Sequence, residues 1–195
     1  MDAVRVERSQ DLLVQTAAVV AAQHEFASRL RRRIMPDPLT GLPVRSLLVE
    51  RLELSLAAAG PHTGRLAVVC CDVDGIAALD HAHGPTVADS ARTEAAGRLV
   101  SAVRQGDLVA RIGTQTFVLL CPGITAVDDA GSIAARVATA FDAPLRPSPD
   151  VVAPVRISVG IALSGRDSTP ETLLAAADRA MAGVRLERHG AGRQA

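Results

Sequence analysis

Aromatic side chains are almost absent from this chain, which has three Phe and no Trp or Tyr among its 195 residues. Proteins that bind single-stranded nucleic acid stack bases on such rings, so the composition argues against that role. Charge indicates no polyanionic partner either, because 21 Lys and Arg balance 21 Asp and Glu to a formal net charge of zero. An excess of positive charge would favour nucleic acid or an anionic membrane. We therefore expect no nucleic acid among the partners.

Cysteine is scarce, and its placement argues against metal or disulfide chemistry. Cys70, Cys71 and Cys121 lie within apolar runs and lack the spacing of a metal site, which predicts small buried residues in a reduced compartment. Residues 1–10 are polar and show no signal peptide, and the apolar run at 17–22 is too short to span a bilayer. We expect a cytoplasmic protein without membrane insertion.

The first segment, residues 1–35, is predicted to be a helical arm. Leu12, Val19 and Phe26 recur in it every seven residues, which is a weak coiled-coil pattern. Such an arm would act as a signalling helix or join two copies into a homodimer. The Pro- and Gly-rich stretch 36–43 ends the helix and begins the main domain, which we place at residues 36–190.

The main domain alternates helical and strand patterns. Helical spacing of apolar residues appears at 44–59, 75–84, 86–104, 128–141 and 167–190, and strand patterns lie at 65–74, 108–112, 117–121 and 155–163. The order α-β-α-α-β-β-α-β-α predicts an α/β (α+β) sandwich, in which a mostly antiparallel sheet is flanked by helices. Residues 191–195 are expected to form a disordered tail.

Four stretches, in order along the chain, resemble the motifs of the GGDEF domain, the nucleotidyl-cyclase-like fold of bacterial diguanylate cyclases. They are DPLTGLPVR at 37–45, CDVDGIAALD at 71–80, RQGDLVARIGTQTF at 104–117 and AADRAMAGVRLERHG at 176–190. The resemblance implies a role in cyclic di-GMP signalling. In that family each of two protomers binds one GTP, and the two nucleotides are joined into cyclic di-GMP.

The namesake G-G-D/E-E-F turn has lost the acids that its chemistry needs. Here the five positions are Gly113, Thr114, Gln115, Thr116 and Phe117. The resemblance implies that carboxylates at Asp72 and at the third turn position hold metal ions, which neutralise charge during the displacement. The neutral amide of Gln115 brings no charge to such a site. We therefore expect no catalytic residue at the turn, no required cofactor, and at most a weak metal ligand in Asp72.

Positions that the resemblance assigns to the nucleotide are also altered. Asp80 stands where the family has an Asn that contacts guanine, Asp89 matches an acid that contacts guanine, and Arg185 matches a phosphate-binding lysine. An ionised Asp80 can only accept hydrogen bonds, so it would repel the guanine O6 acceptor. His189 replaces a phosphate-binding arginine and is mostly neutral at cytoplasmic pH. These vestigial contacts argue against tight GTP binding.

The R-x-x-D motif is retained. Arg104 and Asp107 match the inhibitory site at which the family binds cyclic di-GMP, and Arg136 resembles a second arginine that some members add. Arginine offers a planar fork to phosphate or to a guanine edge, and aspartate accepts guanine N–H groups. The alternative is structural: a charge at a helix C-terminus for Arg104, a loop acid for Asp107 and an exposed helix arginine for Arg136.

Three functions remain open from the sequence. The first is a catalytically inactive GGDEF domain that senses cyclic di-GMP through R-x-x-D and acts as a regulatory module. The second is a nucleotide-free scaffold for dimerisation or for contact with an unidentified partner protein. The third is a residual diguanylate cyclase, which alone would require Mg²⁺. The retained R-x-x-D favours the first function, and the loss of the turn acids counts against the third.

Overall fold

A computed structural model describes residues 35–59, 65–125 and 127–191, with side chains described except for those of residues 127, 128 and 187–191. By its internal contacts, Pro36–Ala195 forms a unit of its own. The predicted helical arm up to residue 34 lies outside the described residues. The tail from residue 192 and the side chain of His189 lie outside them as well.

Five helices and six strands occur in the described residues. In chain order they are α1 (Arg45–Ala58), β1 (Arg65–Asp74), α2 (Ile76–His83), α3 (Pro85–Ala102), β2 (Leu108–Arg111), β3 (Thr116–Ile124), α4 (Val127–Thr139), β4 (Leu145–Ser148), β5 (Val151–Ala153), β6 (Arg156–Leu163) and α5 (Pro170–Ala191). The predicted order of helices and strands is confirmed. The sequence pattern misses only the short hairpin β4–β5, because Pro147 and Pro149 argue against paired strands there.

A four-stranded antiparallel sheet with the order β2-β3-β1-β6 forms the middle layer. The central strand β1 is buried along nearly its whole length, as its continuous apolar run predicts. Val69 and Cys71 face the core that α2, α3 and α4 complete. Val68 and Cys70 face the opposite core, which contains residues of α1 and α5. The predicted sandwich of an antiparallel sheet between helices is confirmed.

The three cysteines are free and buried, as their apolar surroundings predict. Burial raises the pKa of the Cys70 and Cys121 thiols to about 12. Burial raises the pKa of Cys71 as well, with further contributions from the neighbouring thiols and from Asp72. The thiols are therefore protonated at neutral pH and poor nucleophiles.

Helix α5 approaches strand β6 closely at Gly160. A Cβ added to Gly160 would lie 2.6 Å from the Cα of Met181 and still closer to the Met181 nitrogen and the Ala177 carbonyl oxygen. The helix backbone thus occupies the space that a side chain would need. Arg185 lies one turn beyond Met181, and its guanidinium reaches Asp72 on the neighbouring strand β1. Because Gly160 has no side chain, α5 can pack closely against β6, and this packing places the Arg185 guanidinium beside Asp72 at the end of the sheet.

Candidate functional site

The turn between β2 and β3 is tight. The backbone nitrogens of Ile112 and Gly113 both donate to the Thr116 carbonyl oxygen, at 3.0 and 3.2 Å, and the Val73 nitrogen donates to the Gln115 carbonyl at 3.1 Å. No non-glycine residue in the described ranges has a positive φ. The β-branched Thr114 therefore occupies its turn position without backbone strain.

Asp72 lies at the end of β1, in register between Thr116 of β3 and Ser158 of β6, and is 3% exposed. Its Oδ1 accepts a hydrogen bond from Thr116 Oγ1 at 3.0 Å. Its Oδ2 accepts from Gln115 Nε2 at 3.2 Å and from Arg185 Nη1 at 3.3 Å. A buried carboxylate requires such partners. Here one guanidinium and two neutral donors supply them.

This donor set does not fit the Mg²⁺ that the resemblance implies. Magnesium requires an octahedron of oxygen ligands, and its protein ligands are chiefly carboxylates. Around Asp72, however, Gln115, Thr116 and Arg185 all present N–H or O–H groups, and Arg185 brings a positive charge that would repel a metal ion. Within the part of the chain that the structure describes, no three His, Cys, Asp or Glu side chains meet as a metal site requires.

Asp80 and Asp89, the two acids that the resemblance matches to guanine contacts, are joined by Arg92, a residue that no sequence motif marks. Arg92 is 6% exposed on α3. Its Nη1 lies 2.6 Å from Asp89 Oδ1, and its Nη2 lies 3.9 Å from Asp80 Oδ2. Its Nε donates to the Thr114 carbonyl oxygen at 3.2 Å. Arg92 thus neutralises both acids and ties them to the turn.

Arg111 at the end of β2 anchors the other side of the turn. Its Nη1 contacts both carboxylate oxygens of Asp37, at 2.9 and 3.0 Å, while its Nε and Nη2 donate to the Gly113 and Thr114 carbonyls. Burial raises the pKa of Asp37, but hydrogen bonds from Thr40 and the charge of Arg111 outweigh that effect, so the net pKa is lowered. The leading D-P-L-T motif therefore fixes the turn through an ion pair.

The R-x-x-D residues and Arg136 lie together in the structure. Arg104, Asp107 and Arg136 line one cavity of about 280 Å³, together with residues of β3 and α4. Arg104 Nε lies 3.3 Å from Asp107 Oδ1, and Arg136 Nε donates to the Ala102 carbonyl at 3.1 Å. The structure thus brings the three predicted side chains into one cleft.

Arg104 and Asp107 differ in what they offer to a ligand. The Arg104 side chain is 56% exposed, whereas the Asp107 carboxylate is 1% exposed. Asp107 accepts from the Arg104 backbone nitrogen at 3.1 Å and from the Cys121 thiol, and Arg104 also donates to the Pro122 carbonyl. In this conformation Asp107 orients Arg104, and the guanidinium is the exposed group.

The family model described as "Diguanylate cyclase, GGDEF domain" matches residues 34–190. The chain belongs to the GGDEF family. Over 174 residues, this GGDEF domain is 33% identical to the diguanylate cyclase TpbB of Pseudomonas aeruginosa, an alignment that covers 89% of the chain and 40% of TpbB. The chain thus spans less than half the length of that relative.

Solved GGDEF structures have the same fold. The isolated GGDEF domain of TpbB from Pseudomonas aeruginosa superposes with a TM-score of 0.74 at 32% identity, covering 78% of this chain and 89% of that one. The coiled coil and GGDEF domain of DgcB from Caulobacter crescentus, solved in complex with c-di-GMP, gives a TM-score of 0.72 at 18% identity, covering 91% and 94%. At that identity the DgcB likeness concerns the fold alone.

Proposed function

We propose that this GGDEF domain does not synthesise cyclic di-GMP and instead binds it as a regulatory module, in the cleft of Arg104, Asp107 and Arg136. The observation that carries the proposal is the contrast between two places. The cleft gathers the three side chains around one cavity. At the signature turn, in contrast, Asp72 is surrounded by the hydrogen-bond donors of Gln115 and Thr116 and by Arg185 of α5.

The chemistry of the cleft suits a ligand that carries phosphates and guanine edges. Arg104 and Arg136 place two guanidinium groups at its wall, and guanidinium groups pair with phosphate oxygens in a planar, bidentate way. The ion pair with the covered Asp107 orders the exposed Arg104 side chain before a ligand binds, so binding costs less conformational entropy than it would for an unpaired arginine. DgcB, a protein of the same fold, has been solved with c-di-GMP.

Incubation of the protein with GTP and Mg²⁺ is expected to yield no cyclic di-GMP, because the neutral Gln115 contacts Asp72 from the turn position where a second carboxylate would hold the metal. Chromatography of the products, with TpbB assayed in parallel as the active control, provides the measurement. Formation of cyclic di-GMP that scales with the amount of this protein would contradict the proposal and favour a residual cyclase.

Cyclic di-GMP is expected to bind the parent protein, and Arg104→Ala is expected to weaken that binding at least about tenfold, or roughly 1.4 kcal/mol. The substitution removes the exposed guanidinium, which is also the ion-pair partner of the covered Asp107 carboxylate. Isothermal titration calorimetry with cyclic di-GMP measures the affinity of the parent and of the variant. Arg51→Ala, which removes an exposed arginine of α1 outside the cleft, is the matched control and should bind like the parent. Equal affinity of Arg104→Ala and the parent would overturn the site assignment.

A nucleotide-free scaffold is the second candidate, in which the domain serves dimerisation through its N-terminal arm or contact with a partner protein. One observation favours it: the polar groups of the cleft already have partners within the chain, Asp107 in Arg104 and Arg136 in the Ala102 carbonyl. If titration of the parent protein with cyclic di-GMP produced no heat, this candidate would be favoured.

A cytoplasmic location is also part of the proposal, supported by the three free, buried thiols. Within the described ranges, no helix combines the length and apolarity needed to cross a bilayer.

A further inference from the structure

Arg92 is the most deeply buried cation that contacts the signature turn, and the proposed function does not use it. A buried guanidinium is costly unless acceptors surround it. Arg92 meets acceptors on two sides, with Asp89 and Asp80 on one and the Thr114 carbonyl on the other. It therefore bridges the helix that bears Asp89 to the turn.

A guanidinium offers a carboxylate the same pattern of donors as a guanine base. The Watson–Crick edge of guanine presents N1–H and N2–H side by side, and arginine presents parallel N–H groups in a planar fork. Adenine lacks this donor pair. The Arg92 Nη1 lies 2.6 Å from Asp89 Oδ1, so this carboxylate oxygen already has the kind of partner that guanine would supply.

We propose that Arg92 acts as an internal substitute for guanine: it pairs with Asp89 and Asp80 beside the signature turn, so that these acids do not bind a guanine base. Arg92 is then the residue that determines nucleotide specificity at these two acids. The inference goes beyond the proposed function, because it concerns Asp80, Asp89 and Arg92 beside the signature turn and not the cleft that contains Arg104.

A cavity that could hold a base lies beside Asp89 with Arg92 in place, since neither Arg92 nor Asp80 is among the residues that line it. The Asp89 side chain is 48% exposed and borders a cavity of about 580 Å³. Leu39 supplies an apolar surface to that cavity, and Thr86 and Ser90 supply hydroxyl groups. Removal of the guanidinium would leave a carboxylate without its ion-pair partner at the edge of this cavity, and a guanine donor edge would satisfy it.

The test is a titration of the ¹⁵N-labelled protein with GMP and, separately, with AMP, followed by NMR; both probes bind without requiring a metal ion. At the amides of Asp89 and Thr114, the parent protein is expected to show no preference between the two. Arg92→Met, which retains the length and apolar stem of the side chain, is expected to bind GMP at least tenfold more tightly than the parent does and to prefer GMP over AMP. Shifts should concentrate at the amides of Asp89 and Thr114.

Arg92→Lys is the matched variant, since it keeps the positive charge but lacks the planar fork. It is expected to gain GMP affinity as well, though less than Arg92→Met. If Arg92→Met does not fold, the gain in GMP affinity of Arg92→Lys over the parent is the test. A guanine preference of the parent at the amides of Asp89 and Thr114, or a folded variant without a gain for GMP at these amides, would overturn the inference. Cyclic di-GMP binding, measured on the same samples, should be unchanged, so this test and that of the proposed function fail separately.

Discussion

Gly160→Ala is expected to lower the free energy of unfolding by about 3 kcal/mol, because the new methyl group would overlap the backbone of α5. An added Cβ would come within 2.6 Å of the Met181 Cα, and backbone atoms cannot rotate away as a flexible side chain can. The helix would have to move off β6 as a unit. Urea unfolding measures the loss, and the melting temperature should fall by roughly 10 °C.

Gly97→Ala is the control for this substitution. Gly97 lies on an exposed part of α3, and an added Cβ would have no neighbour within 4 Å. Since alanine has the higher helix propensity, this variant should be more stable than the parent by about 0.5–1 kcal/mol. If Gly160→Ala unfolded at the same urea concentration as the parent, α5 could not lie as close to the sheet as described.

Asp37→Asn is expected to destabilise the domain by about 2 kcal/mol at pH 7, because it removes the charge that pairs with Arg111 in a largely buried position. The pKa of Asp37 is lowered from its ordinary value of 3.8, so its ionised form stabilises the folded state. This contribution is complete above the unfolded pKa and is lost as the pH falls through the folded pKa. The stability gap between parent and variant should therefore be constant at neutral pH and narrow below about pH 4.

Urea unfolding of both proteins from pH 7 to pH 3 measures this gap. Asp150→Asn, which changes an exposed acid in the turn between β4 and β5, is the control and should leave stability within about 0.5 kcal/mol of the parent. A gap that stayed constant down to pH 3 would show that the Asp37 charge does not stabilise the fold.

The fold follows from local patterns to a large extent. The continuous apolar run of β1 and the alternation in β6 indicate strands, and the apolar stripe of α3 indicates a helix. The hairpin β4–β5 cannot be predicted from local sequence patterns, because two prolines interrupt its sequence and its pairing is irregular. Its position depends instead on long-range contacts, such as the bond from the Arg146 nitrogen to Glu94.

The site is predictable only where a motif fixes it. The resemblance places Arg104, Asp107 and Arg136 together, and the cavity contains all three. Arg92 belongs to no motif, yet its position carries a signal, since it lies on the same buried stripe of α3 as Ala88 and Ala95. A charged residue on such a stripe requires a buried partner. Tertiary packing decides which acids provide that partner, so their identity cannot be predicted from the sequence pattern.

Helix α3 connects the two regions. In its N-terminal half it carries Asp89 and Arg92, and at its last residue the Ala102 carbonyl accepts the hydrogen bond from Arg136. With 18 residues it spans about 27 Å. An α-helix of this length is stiff, so tilting at one end must be matched by displacement at the other or absorbed by bending. Helix α3 is therefore a stiff connection between the ion pair of Asp89 with Arg92 and the cleft that contains Arg136.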